Sequence, residues 1–174
     1  MPSHTEAIIE EIRASDSTEE LSRLGDPGAV AALADALLDS RDRVSLAAVH
    51  SLSRIDGHEA TEALCRGLDA EPYVVREAAA VALGERGDRE AVRQLVGRLT
   101  DPHAGVRRVV AEALGKLEDP EALPGLLEAI ADADPDARKA AERSLRVLVA
   151  IDHPDTVSEL LVGLTHAAAR VRLI

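Results

Sequence analysis

Apolar residues recur along this chain at spacings of three and four, and the pattern returns every 31 residues. Leu33, Leu64, Leu95 and Leu126 form one series, and Leu37, Leu68, Leu99 and Ile130 form a second. Leu52, Leu83, Leu114 and Leu145 form a third. Two more are Val44, Val75, Val106, Ala137 and Ala48, Ala79, Val110, Ala141. Within one unit Val92, Leu95 and Leu99 share a helical face, and Val106, Val110, Ala113 and Leu114 share another. This is the period of helices, not the alternation of strands. A fixed period of this length marks a tandem array, in which each unit buries its apolar face against its neighbours.

The breaks in the pattern give the helix boundaries. Asp26-Pro27, Asp101-Pro102, Asp119-Pro120 and Asp134-Pro135 each place a side-chain acceptor at an N-cap and Pro at the first helical position. Gly84 and Gly115 fall near the ends of second helices. First helices are predicted over 27–38, 58–69, 89–100, 120–131 and 154–165, and second helices over 42–54, 72–84, 103–116 and 135–149. Residues 4–24 read as an atypical N-terminal pair, with Ile8, Ile9 and Ile12 on one face and Ser17 to Glu20 in the form of a capping box. After Leu145 the phase shifts by three, the extra residues falling between Val147 and His153, and the pattern resumes at Val157, Leu160, Leu164 and Val171. The expectation is one domain over 1–174, with repeats from 26 onward and the last one truncated.

Two segments carry a family resemblance. Asp101-Pro102-His103-Ala104-Gly105-Val106-Arg107, continuing to Ala111-Glu112-Ala113-Leu114-Gly115, resembles the second helix of a HEAT repeat, as does Glu71 to Ala79. The units are most similar to the short HEAT-like repeats of phycobilin lyases. The resemblance implies an all-α, right-handed superhelix of about five two-helix repeats. It also implies that second helices line the inner curve, and that Asp and Arg form a ladder between neighbouring units. Arg76, Arg107, Arg138 and Arg172 occupy the arginine positions, and Asp39, Asp101 and Asp132 the aspartate positions. The ladder is broken where Ser45 and Ala70 stand instead.

Composition narrows the function classes. The chain has no Trp or Phe and one Tyr, so its core is aliphatic. The formal charge is −12, and only Lys116 and Lys139 are lysine. Such a composition resembles the cytoplasmic proteins of salt-loving archaea, with an ordinary acidic protein from a GC-rich genome as the alternative. The overall field repels nucleic-acid backbones and anionic membranes. That charge and the missing Trp argue against the HEAT-like DNA glycosylases, which need a basic face. Cys65 alone forms no intramolecular disulfide. The N-terminus lacks the features of a signal peptide, and no apolar run suffices for a membrane span, so a cytoplasmic location is expected.

Enzyme chemistry finds little support. Deoxyhypusine hydroxylase, a HEAT-repeat enzyme, holds iron with His-Glu pairs in such helices. The matching positions here read Arg76-Glu77, Arg107-Arg108 and Arg138-Lys139. The pair His58-Glu59 opens a first helix instead. His4, His50, His103, His153 and His166 are scattered, and Cys65 reads as a core or boundary residue. Arg86-Gly87-Asp88 matches a cell-adhesion tripeptide but falls at an inter-repeat turn. No catalytic residue, metal site or cofactor is expected.

A binding scaffold remains, acting on a protein partner through its concave face. In register, the inner columns read Leu46, Glu77, Arg108, Lys139; then His50, Val81, Glu112, Arg143; then Arg54, Glu85, Lys116, Val147. Residues 1–87 hold 8 bases and 17 acids, whereas 88–174 hold 12 and 15, so the bases gather in the later repeats. Arg108, Glu112, Lys116, Lys139, Arg143 and Arg146 are the candidate site, a basic patch for an acidic protein segment. The competing reading makes them solvated helix residues paired with Glu112 and Glu142. The C-terminal edge at Val171, Leu173 and Ile174 is a candidate for self-association. The alternative function is an accessory subunit of a lyase-like, phycobilin-lyase-related modifying enzyme.

Overall fold

The computed structural model describes residues 27–39 and 41–152. They form helices α1 (Pro27–Ala36), α2 (Asp42–Ser53), α3 (His58–Gly67), α4 (Tyr73–Arg86), α5 (Val92–Arg98), α6 (Ala104–Leu117), α7 (Leu123–Ala129) and α8 (Pro135–Asp152). Short 3₁₀ turns, Arg89–Ala91 and Pro120–Ala122, lead into α5 and α7. Among the described residues there are four helix pairs and no strand. The expected N-terminal pair over 4–24, the helix over 154–165, Arg172 and the C-terminal edge at Val171, Leu173 and Ile174 lie outside the described residues.

The five repeating series build the core. Leu33, Leu64, Leu95 and Leu126 are all fully buried, as are Leu52, Leu83, Leu114 and Leu145. The remaining members of the series are buried as well, Leu99 being the most exposed at 7%. Each fully buried Leu contributes about 1.5–3 kcal/mol of transfer free energy. With so little aromatic bulk, stability comes from many such small increments along one continuous seam.

Successive second helices pack closely, α6 on α8 most extensively, α4 on α6 next and α2 on α4 least. Glycine permits this approach. A Cβ on Gly84 would lie 2.8 Å from Cα and Cβ of Ala113, and one on Gly115 would lie 2.8 Å from Cβ of Ser144. Ser144 Oγ also donates to the carbonyl of Ala111 at 2.7 Å, so its buried hydroxyl is satisfied. Among first helices α1 packs directly on α3, whereas α5 meets the first helices on either side largely through the 3₁₀ turns. Closer packing on the second-helix side curves the array, and the second helices line its inner face.

Helix ends follow the sequence with one correction. Asp119 accepts from the Glu121 N–H at 2.9 Å, and Asp134 accepts from the N–H groups of Asp136 and Ala137 at 3.0 and 2.9 Å. Both are N-caps, as predicted. Asp101 is not: α6 begins at Ala104, with His103 at the cap position and no side-chain cap bond. Asp101 instead closes the preceding turn, accepting from His103 N–H at 2.8 Å, because its carboxylate is committed to the neighbouring unit. Asp26 lies outside the described residues. Three second helices run beyond their predicted ends: α8 reaches Asp152, while α4 closes on Gly87 at φ 73° and α6 on Glu118 at φ 51°, both left-handed.

Candidate functional site

The expected ladder exists. Arg76 donates from Nε to Asp101 Oδ2 at 2.7 Å and from Nη2 to Oδ1 at 2.9 Å. Arg107 does the same to Asp132 at 2.6 and 2.9 Å. The third nitrogen of each guanidinium turns back on its own unit: Arg76 Nη1 bonds the carbonyls of Ala70 and Glu71, and Arg107 Nη1 those of Asp101 and Pro102. Arg138 makes the same local bonds to the carbonyls of Asp132 and Ala133. Burial works against the charges on Asp101 and Asp132, but the hydrogen bonds and charges of their arginines outweigh it and hold both carboxyls below the usual range. These arginines stand at the positions matched above to the His-Glu iron pairs of deoxyhypusine hydroxylase. A guanidinium offers no lone pair to a metal, and those of Arg76 and Arg107 are fully engaged.

His58 is exposed at the start of α3, and its Nδ1 pairs with Glu90 of the next unit at 2.5 Å. The hydrogen bond and charge of Glu90 raise its pKa. Cys65 is partly buried, and burial together with nearby Asp88 and Glu62 pushes its thiol up to about 11, against nucleophilic use. Among the described residues no group of three or more His, Cys, Asp or Glu is placed to hold a metal. None of their helices is long and apolar enough to cross a membrane.

The inner face of α6 and α8 carries an open groove of about 710 Å³, lined by Arg108, Glu112, Asp136, Lys139, Glu142, Arg143 and Arg146. Five of the six candidate residues meet there. Their positions follow from the repeat: Arg108 and Lys139 share a register position on neighbouring helices, and Lys139, Arg143 and Arg146 follow one face of α8 at helical spacing. Glu112 joins the two walls, accepting from Arg108 Nη1 at 3.1 Å and from Arg143 Nη2 at 3.3 Å. Lys139 lies 3.7 Å from Asp136, both largely exposed. Arg146 makes no ion pair among the described residues, and Glu142 pairs with none of these cations there.

Lys116 departs from the group. Its Nζ approaches Glu85 of the preceding unit at 3.9 Å. It borders a neighbouring depression with Glu112, Arg143 and Val147. Sequence reasoning also missed Asp136. Its signal was available: it shares a register position with Gly105 and Val74 on the inner helices.

Two further features carried no motif. Tyr73 and His103, on adjacent units, stack with ring centroids 3.7 Å apart and planes at 20°. Glu77 Oε1 lies 3.4 Å from His103 Nδ1, and folds over Gly105, where any Cβ would collide with it. Arg86, part of the apparent adhesion tripeptide, is turned inward. It bonds Asp88 at 2.6 Å and reaches the carbonyls of Leu52 and Ile55 of the preceding unit. With its side chain only 10% exposed it is a structural clamp.

Similar structures agree with this architecture. Human deoxyhypusine hydroxylase, solved with glycerol, matches 68% of the chain at 32% identity with a TM-score of 0.64. The chain spans only 43% of that enzyme's length. The CpcE–CpcF complex of phycocyanin lyase from Nostoc sp. PCC7120 matches 97% of this chain and 77% of its own at 24% identity, TM-score 0.62. A designed armadillo repeat protein in complex with the peptide (KR)4 matches 98% of this chain and 90% of its own at 18% identity, TM-score 0.56. The last two likenesses are of fold. No curated protein sequence matches the chain. The profile of HEAT repeats matches residues 13–83 and 61–146. With the helix pairs, the inter-unit Asp–Arg ladder and that match in hand, the chain belongs to the HEAT-repeat family.

Proposed function

We propose that the chain is a non-catalytic scaffold that binds a protein partner through its concave face, at the groove between α6 and α8. The observation that carries this reading is a local reversal of charge. Arg108, Lys139, Arg143 and Arg146 outnumber Glu112, Asp136 and Glu142 in the groove of a chain whose formal charge is −12. Glu112 holds Arg108 and Arg143 in place, so two of the cations are positioned before a partner arrives, which lowers the ordering cost of binding. The groove is polar and open, which suits an extended acidic segment. The excess of acid elsewhere repels such a segment from the rest of the molecule and focuses it here.

The test uses a fluorescein-labelled oligoglutamate peptide and the purified chain, followed by fluorescence anisotropy. Binding is expected at low salt and is expected to weaken in 0.5 M salt, where screening acts within about 4 Å. The variant Arg108→Glu, Lys139→Glu, Arg143→Glu is expected to lose it, while Arg43→Glu on α2 retains it. Equal binding by wild type and triple variant, or no binding at low salt, would overturn the reading.

A further inference from the structure

The depression beside the α6–α8 groove differs from it in kind. It holds about 320 Å³ and shares Glu112 and Arg143 with the groove, so the two are continuous along the inner face. Its floor is the buried trio Gly115, Ala140 and Ser144. Ser144 Oγ has already given its proton to the Ala111 carbonyl, at 2.7 Å. The three backbone N–H groups lie inside α6 and α8, where helix hydrogen bonds use them. The floor therefore offers a ligand no free donor.

The wall breaks the register of the array. The corresponding positions on the inner helices are Arg54, Glu85 and Lys116, and then Val147. Three units place a charge there, and the fourth places an apolar side chain that is 41% exposed. Val147 is the one exposed large apolar residue of α6 and α8 among the described residues. A single exposed valine is ordinary on a protein surface. This one stands over a floor without donors and next to a groove lined by charge.

The cations at the rim have other partners. Lys116 Nζ approaches Glu85 of the preceding unit at 3.9 Å, and Arg143 Nη2 donates to Glu112 at 3.3 Å. Glu118 bounds the end of α6. Lys116, which stands apart from the groove, thus belongs to the rim of this second depression.

We propose that the depression seats an aliphatic side chain of the partner, so that the segment recognised is an acidic run with a leucine-sized residue beyond one end. The inference rests on the acidic-segment reading of the groove and adds a second determinant to it. The helix sets the spacing. Val147 lies four residues beyond Arg143, about 6 Å along α8, a distance that an extended chain covers in about two residues. The groove's charges draw the segment in and orient it. Apolar contact with Val147 and Ala140 then fixes which stretch of the segment stops there.

Fluorescence anisotropy on the full chain tests this with four labelled peptides of equal charge. Each carries six Glu, with Leu or Ser placed two residues beyond one end of the run or the other. In one of the two orientations the Leu peptide is expected to bind about tenfold more tightly than its Ser counterpart. The ratio is expected to be the same at 0.05 and 0.15 M salt, because screening acts on the charges and not on the apolar contact. Val147→Ser keeps the net charge and changes an exposed position. It is expected to abolish the ratio while leaving the affinity of the Ser peptides unchanged. Leu peptides no tighter than Ser peptides in either orientation would overturn the seat and leave the groove standing. An unchanged ratio in Val147→Ser would also overturn it. Absence of binding by all four peptides would overturn the groove, and this inference with it.

Discussion

Arg76 and Asp101, 25 residues apart in sequence, meet through two parallel hydrogen bonds of 2.7 and 2.9 Å that tie one helix pair to the next. The Asp101 side chain is 1% exposed and the Arg76 side chain 11%. Removing Asp101 leaves a nearly buried guanidinium uncompensated and also frees the His103 N–H. Asp101→Ala is therefore expected to cost about 3 kcal/mol in urea unfolding, as loss of one partner of a buried pair does. A double-mutant cycle with Arg76→Ala should return a coupling that the exposed pair Lys139–Asp136 does not.

The same carboxylates set the acid limit of the fold. Asp101 and Asp132 have folded pKa values below the unfolded value of about 3.9. Their contribution is therefore fully present above about pH 4 and is lost as pH falls through the folded values. Thermal unfolding followed by circular dichroism from pH 6 downward should show the melting temperature falling below about pH 4. Asp101→Asn should flatten that fall. An unchanged slope in the variant would contradict the role given to this carboxylate.

Gly87 and Glu118 occupy equivalent left-handed positions after α4 and α6, but Glu118 carries a Cβ there at φ 51°. A non-glycine residue in this region costs about 1–2 kcal/mol. Glu118→Gly is expected to stabilise the chain by about 1 kcal/mol, less the extra entropy glycine brings to the unfolded state. The contrary substitution Gly84→Ala drives a Cβ to 2.8 Å from the Ala113 backbone. It should destabilise by about 1–3 kcal/mol despite the better helix propensity of alanine. Urea midpoints moving in opposite directions would confirm both assignments.

Cys65 should be a poor nucleophile. With its thiol pushed up from 9.0 to about 11, its thiolate population at neutral pH is roughly 100-fold below that of an unperturbed thiol. Iodoacetamide labelling of the native chain should be slower than labelling in urea by at least that order. Rapid native labelling would overturn the assignment.

Much of the fold was legible because the array repeats one physical problem. Leu64, Leu95 and Leu126 had to be buried in the same way, so the interval of 31 located the core directly. The Arg and Asp positions recur at the same interval, and the resemblance to HEAT repeats is what read them as a ladder, down to the missing rung at Ser45 and Ala70. Register also gathered Arg108, Lys139 and Arg143, and helical spacing added Arg146. It also named Lys116, whose side chain approaches Glu85 on the preceding helix and borders the adjoining depression rather than the groove. The Arg86 clamp was illegible because its acceptors are backbone carbonyls, which leave no mark on the sequence. Asp101 looked like a cap because Asp-Pro opens helices elsewhere in the chain. Its carboxylate was already engaged by Arg76 of the preceding unit, so the ladder position prevailed over the local Asp-Pro signal.

The Arg–Asp rungs span 25 residues, and the buried Ser144 tie spans 33, so each reaches only to the adjoining unit. A duplicated 31-residue block inserted at a unit boundary would meet, above and below, the partners it already fits. The array can therefore grow by copying without redesigning its interior. A chain assembled this way closes short loops at every step and can propagate order outward from whichever unit forms first.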